Sequence, residues 1–136
     1  MATVTDGQQA MLSMLGRRVL RANGVFSVLT GAALAAASKP IAQFLGPDIA
    51  LALLIVGLAT FLYAVYLLWV LSRQAVRQRL LVTIGAADAA WVVVSIALLL
   101  LPGIPFSAGG RWAVGMLALV VADFAAVEFY ALWRAR

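Results

Sequence analysis

Residues 80–101 read LLVTIGAADAAWVVVSIALLLL, twenty-two consecutive positions in which Asp88 is the only charge. As a helix rising about 1.5 Å per residue, this stretch covers about 33 Å, enough to cross the ~30 Å hydrocarbon core of a bilayer. Pro102-Gly103-Ile104-Pro105 ends it on one side, and Arg77 and Arg79 flank it on the other. Three more apolar runs of similar length occupy residues 19–37, 49–71 and 112–133. Ser38-Lys39-Pro40, Gly46-Pro47-Asp48 and Gly109-Gly110 fall between the runs, so Pro and Gly stop helices without kinking a span. The expected fold class is all-α: an integral membrane four-helix bundle forming a single transmembrane domain over residues 1–136.

Composition agrees. The chain is 65% hydrophobic and 11% charged, where soluble domains are about half apolar and a quarter charged. A soluble protein of 136 residues could not hide that much apolar surface. The absence of Cys excludes disulfides and thiolate chemistry, and the absence of His excludes imidazole ligation and Ser-His-Asp catalysis. A net charge of +5 does not point to nucleic acid, because the basic residues flank the apolar runs. There they read as orientation signals and headgroup contacts, so the lipid bilayer is the expected partner.

Arg17, Arg18, Arg21, Arg73, Arg77, Arg79, Arg134 and Arg136 collect on one side of this topology, and only Lys39 and Arg111 on the other. The positive-inside rule then places both termini in the cytoplasm, with Trp69 and Trp133 at the inner interface and Trp112 at the outer one. Arg17-Arg18, an apolar core and Ala35-Ala36-Ala37 imitate a signal peptide, but three spans follow and retention is expected. Residues 1–10 are polar and are expected to fray. Met11, Leu12, Leu15 and Val19 share a face opposite Arg17 and Arg18, so residues 11–18 read as an interfacial helix.

Charges inside a bilayer cost roughly 2.5–3.5 kcal/mol each on insertion scales and mark function by default. Asp88, Asp123 and Glu128 fall within spans, at depths of about 12, 15 and 8 Å from the inner ends. Arg21, Asn23, Tyr63 and Tyr66 share those depths, and the outer half holds no acid. These seven residues form the expected intramembrane polar cluster. Arg21 is expected to pair with Glu128 or Asp88 through a bidentate contact. The surplus acids then need a proton, a bound cation or a water-filled vestibule. Asp123 is the deepest and has no cation at its level, so it is expected to be neutral or proton-exchanging. Asp123 and Glu128 lie about 140° apart on a helix and face different neighbours. The alternative use of the cluster is structural, fixing helix register. Small residues at helical spacing, Gly24, Ser27 and Gly31 on the first span and Gly115, Ala118 and Ala122 on the fourth, are expected to pack helices.

No catalytic site, metal site or cofactor is expected. Gly85-Ala86-Ala87-Asp88 lacks the second glycine of the intramembrane aspartyl protease motif, and no Gly-rich phosphate loop is followed by the Lys it needs. Leu20-Arg21-Ala22-Asn23-Gly24, Lys39-Pro40, Phe44-Leu45-Gly46, Asp88 with Trp91, and Trp133-Arg134 extend over most of the chain. In this pattern the chain resembles the small four-span inner-membrane proteins of bacteria around the DoxX-like group. The resemblance implies a fold and a bacterial inner-membrane location, and it carries over no catalytic residue. Some members of that group resemble accessory subunits of membrane oxidoreductases. Two functions stay open: an oligomeric transporter or channel using the inner-half carboxylates, and a non-catalytic accessory or scaffold subunit of a larger membrane complex.

Overall fold

The computed structural model describes residues 4–73 and 76–134, residues 4–12 by backbone alone. Among the described residues the chain forms five helices: α1 (Val4–Ala36), α2 (Ser38–Leu45), α3 (Ala50–Arg73), α4 (Gln78–Leu100) and α5 (Ala108–Arg134). Four of them, α1 from Ser13 onward, α3, α4 and α5, are long and apolar enough to cross a membrane.

Three expectations need correction. Helix α1 runs unbroken back to Val4, so residues 11–18 are the opening turns of the first long helix and not a separate interfacial one. Residues 4–10, expected to fray, are helical, and residues 1–3 lie outside the described residues. The Ser38-Lys39-Pro40 break, in turn, begins the short helix α2. Pro40 sits in its first turn, where a missing N–H breaks no intrahelical bond. Helix α2 ends at Gly46, whose φ of 112° is open to glycine and strained for any residue with a Cβ. Between the second and third apolar runs, Ser72 and Arg73 close α3, Gln78 and Arg79 open α4, and residues 74–75 lie outside the described set.

The long helices pack as two close pairs, α1 with α3 and α4 with α5, joined mainly along α1 and α5. Phe26 and Phe124 meet across that seam with ring centroids 5.5 Å apart. Helices α3 and α4, although consecutive, bring no two described Cα atoms within 8 Å. The α1–α3 pair closes on bare backbone: a Cβ on Gly31 would stand 2.6 Å from the Phe61 nitrogen, and one on Gly57 2.5 Å from the Ala35 nitrogen. Small residues let helix backbones approach this closely.

The two ends of the bundle differ. Leu20, Leu67, Leu71, Leu81, Ile84 and Leu132 form a buried apolar plug at the end where α1 begins and α5 ends. At the opposite end α2 is tied to the start of α5. Ser107 donates its N–H to the Leu45 carbonyl at 2.7 Å and its hydroxyl to the Phe44 carbonyl at 2.6 Å. Gly110 lies against the Leu45 backbone, where a Cβ would meet the carbonyl oxygen at 2.5 Å.

The expected packing stripes are only partly used. Gly24 is buried against Leu68, Gly31 makes the close crossing, and Ala118 is buried. A Cβ on Gly115, by contrast, would meet nothing within 4 Å, so this glycine packs against no helix among the described residues. Ala122 is half-buried. Helix α5 makes its close approach through Gly110 instead.

A contrast in stability follows. Gly57→Val should cost about 1–3 kcal/mol, the usual toll of overpacking a closed contact. Gly115→Ala should stabilise by about 0.5–1 kcal/mol through helix propensity alone. Thermal unfolding in a mild detergent reads both; equal effects from the two would mean that the crossing is not close-packed.

Candidate functional site

Between the two helix pairs lies a cavity of about 260 Å³. Asn23, Phe26, Ser27 and Thr30 of α1, Thr60 and Tyr63 of α3, and Asp88 and Trp91 of α4 give it its character. Its volume is below the ~300 Å³ at which pockets for drug-sized ligands begin, so it fits a small molecule or a group of waters.

Asn23 organises the site. It is 2% exposed, and its amide nitrogen donates to Asp88 Oδ2 at 2.5 Å and to Glu128 Oε1 at 2.9 Å. Both amide hydrogens are thereby used. Its oxygen accepts from the Ser27 hydroxyl, one turn further along α1, at 3.1 Å. With the nitrogen turned to the two carboxylates and the oxygen to Ser27, each polar atom of the amide has a partner. Glu128, from α5, is completely buried, while Asp88 is half-buried and faces the cavity.

Local sequence makes room for this arrangement. Gly85 stands one turn before Asp88, and a Cβ there would come 3.3 Å from the Phe129 ring and 3.5 Å from Glu128 Oε2. The Gly85-Ala86-Ala87-Asp88 stretch is therefore a notch that admits the Glu128 carboxylate. One turn toward the termini, Leu20, Ile84, Leu132 and Leu67 close the apolar plug beneath Asn23, Asp88, Glu128 and Tyr63. The polar layer thus has an apolar floor.

The electrostatics are one-sided. Neither carboxylate forms an ion pair with a Lys or Arg among the described residues; Asn23 and the other carboxyl are their neighbours. Tyr63 stands within electrostatic reach of both acids. Three polar atoms in this region are buried and bond to nothing within the described protein: Tyr63 Oη, Trp91 Nε1 and Glu128 Oε2. A buried donor left without an acceptor costs about 1–3 kcal/mol, and such atoms call for a partner from outside the chain. No three His, Cys, Asp or Glu side chains come together as a metal site among the described residues.

Of the seven residues expected in the cluster, the structure brings together Asn23, Tyr63, Asp88 and Glu128. It leaves out three. Arg21 is exposed and makes no ion pair with Glu128 or Asp88, because two residues along α1 turn its side chain away from the face that carries Asn23. Asp123 is exposed on the outer face of α5, five residues from Glu128 and on another side of the helix. Tyr66 is 63% exposed and stacks on Trp69 with ring centroids 6.2 Å apart. Sequence reasoning misses Trp91, Phe26, Thr30 and Thr60 as site residues. The signal that could have found Trp91 is its position three residues after Asp88, on the same helical stripe. Ser27, expected only to pack helices, also fixes the Asn23 amide.

Compared with known proteins, the chain matches no family model, no curated protein and no solved structure.

Asn23→Ala should destabilise the protein by about 1.5–3 kcal/mol, the worth of a hydrogen bond to a charged group. Glu128→Gln in the same chain should recover part of that loss, giving a coupling of about 0.5–3 kcal/mol in a double-mutant cycle. Arg21→Ala should stay within about 0.5 kcal/mol of the parent. A large Arg21 effect coupled to Glu128 would restore the ion pair that the structure lacks.

Proposed function

We propose that this chain is a small multi-pass protein of a bacterial inner membrane that moves protons or a small polar or cationic solute through its cavity. The carrying observation is the cavity itself, walled by Asp88, one of two acids that share one amide donor and meet no cation among the described residues. The outward faces support the membrane setting: Leu51, Leu62, Val93 and Leu100 are 65–77% exposed, as lipid-facing residues are. The topology gathers the ends rich in Arg at the plug, so the positive-inside rule sets both termini in the cytoplasm and the plug on the inner side of the cavity.

The mechanism follows from where the bonds lie. Asn23 belongs to the α1–α3 pair, and Asp88 and Glu128 belong to the α4–α5 pair. Their hydrogen bonds cross the seam. A bond to an ionised carboxylate is roughly twice as strong as one to a neutral acceptor. A proton or cation arriving on Asp88 or Glu128 therefore weakens the tie between the pairs, and leaving restores it. The α3–α4 side has no close backbone packing to resist such a movement. Occupancy of the seat and the spacing of the pairs are thus linked.

A second reading, an accessory subunit, draws on Asp123. A carboxylate on the outer face of a membrane helix invites a polar partner from another copy or another chain. In that reading the cluster only orders the bundle.

Two measurements test this function. The chain has no Cys, so single cysteines at Ala108 and Gln78 report orientation cleanly. An impermeant thiol reagent added outside cells should label Ala108→Cys and spare Gln78→Cys, and the reverse pattern defeats the orientation. In reconstituted vesicles, an entrapped pH dye should respond faster with the protein than without it. Asp88→Asn and Glu128→Gln should abolish that response while helical content and melting are retained, and Asp123→Asn should preserve it. Wild-type vesicles indistinguishable from empty ones for protons and for a panel of solutes would favour the accessory subunit.

A further inference from the structure

We infer that the cavity takes an organic ammonium bearing a hydroxyl or carbonyl group, of the size and chemistry of an amino alcohol. This rests on the transport reading for its purpose, but the site's recognition chemistry is argued from its lining alone.

Charge comes first. Asp88 faces the cavity, Glu128 stands behind Asn23, and no Lys or Arg of the described residues lines the space. The seat is therefore complementary to a cation, and an anion would meet a like charge. The aromatic residues decide which kind. Phe26, Tyr63 and Trp91 all line the same cavity. Ring faces attract alkylated ammonium groups, whose charge is spread and weakly hydrated, and aromatic cages recognise such groups. A small inorganic cation asks instead for a shell of oxygens, and no converging group of acids supplies one among the described residues.

The unpaired donors add the second requirement. Tyr63 and Trp91 line the cavity, and Tyr63 Oη and Trp91 Nε1, closed off from its open space and bonded to nothing in the described protein, meet an acceptor there once their rings turn. Each needs an acceptor, which an ammonium group cannot offer. A hydroxyl or carbonyl oxygen on the same small molecule meets that need. The volume, about 260 Å³, accommodates such a molecule with a few waters. Thr30, Thr60 and Ser27 provide hydroxyls that adapt to either component.

The test is equilibrium binding by calorimetry to the full chain in dodecyl maltoside, with three probes. Choline carries both the cation and the hydroxyl, tetramethylammonium carries only the cation, and 3,3-dimethylbutanol is the neutral shape match of choline. Choline should bind saturably, more tightly than tetramethylammonium and at least about tenfold more tightly than the neutral alcohol, about 1.4 kcal/mol. Asp88→Asn should erase the preference for the charged probe. Trp91→Phe, which keeps a ring and removes the N–H, should narrow the gap between choline and tetramethylammonium. Asp123→Asn, outside the cavity, should change neither. Equal binding of choline and its neutral match overturns the inference, as does absence of choline binding. If Asp88→Asn fails to fold, the Trp91→Phe comparison still decides: an unchanged gap overturns the inferred role of the unpaired donor. The two proposals separate in vesicles. Proton flux without choline binding sinks the ligand class and leaves transport standing, whereas charge-selective binding with no flux of protons or choline sinks transport and leaves the site.

Discussion

Two carboxylates hang on one amide nitrogen. The constraint behind that arrangement is the shortage of hydrogen-bond donors where water is excluded: an acid there must find its donors within the protein or from something it binds. Asn23 supplies two N–H groups and spends both, one on Asp88 and one on Glu128. Because the donors and acceptors come from different helix pairs, this single side chain ties together the facing sides of α1, α4 and α5. The Gly85 notch, the Ser27 hydroxyl and the leucine floor each serve that placement. Remove the amide and three helices lose their common reference.

Much of the fold was legible in the sequence because bilayer thickness fixes the length of a spanning helix, and four runs have that length. The shared level of Asp88 and Glu128 along the bundle was legible too, since rise per residue is constant. The rotation of each helix was not. A helix that is apolar on every side carries no stripe to say which face turns inward, because lipid and protein interior are equally apolar. Arg21 and Asn23 differ by two positions, about 200° around α1, and only contact with α4 and α5 decides which of them enters the core. Asp123 shows the same limit. Its depth suited the cluster, yet α5 had room to turn only one of Asp123 and Glu128 inward, and Gly85 is the residue that received Glu128. Helix α2 was hidden for another reason: Pro40 marks a break inside a helix but is welcome in the first turn of a new one.

The two ends of the bundle are held by different physics. At the end bearing Lys39 and Arg111, backbone carbonyls of α2 accept directional hydrogen bonds from Ser107, and Gly46 turns the chain where another residue would be strained. At the other end, Leu20, Leu67, Leu71, Leu81, Ile84 and Leu132 fill space without direction, and Arg17 adds one directional tie by donating to the Leu71 carbonyl. Hydrogen bonds fix a geometry, whereas packed leucines can slide and repack at modest cost. Rearrangement in this molecule is therefore easiest between α3 and α4, which meet through side chains and not through closely packed backbones.

The long sequence separation between Asn23 and its acids, 65 and 105 positions, has a consequence for how the chain is made. The ribosome delivers α1, α2 and α3 first, and the glycine crossing of Gly31 with Gly57 is complete within that segment. At this stage Asn23 carries an amide with no acid to bind, a neutral group whose waiting costs less than that of a bare charge. Asp88 and Glu128 arrive later, on a second hairpin, and reach a donor already in place. The order of the chain thus places the shared amide, on a pair of helices already closed by its glycines, ahead of the two acids that it binds.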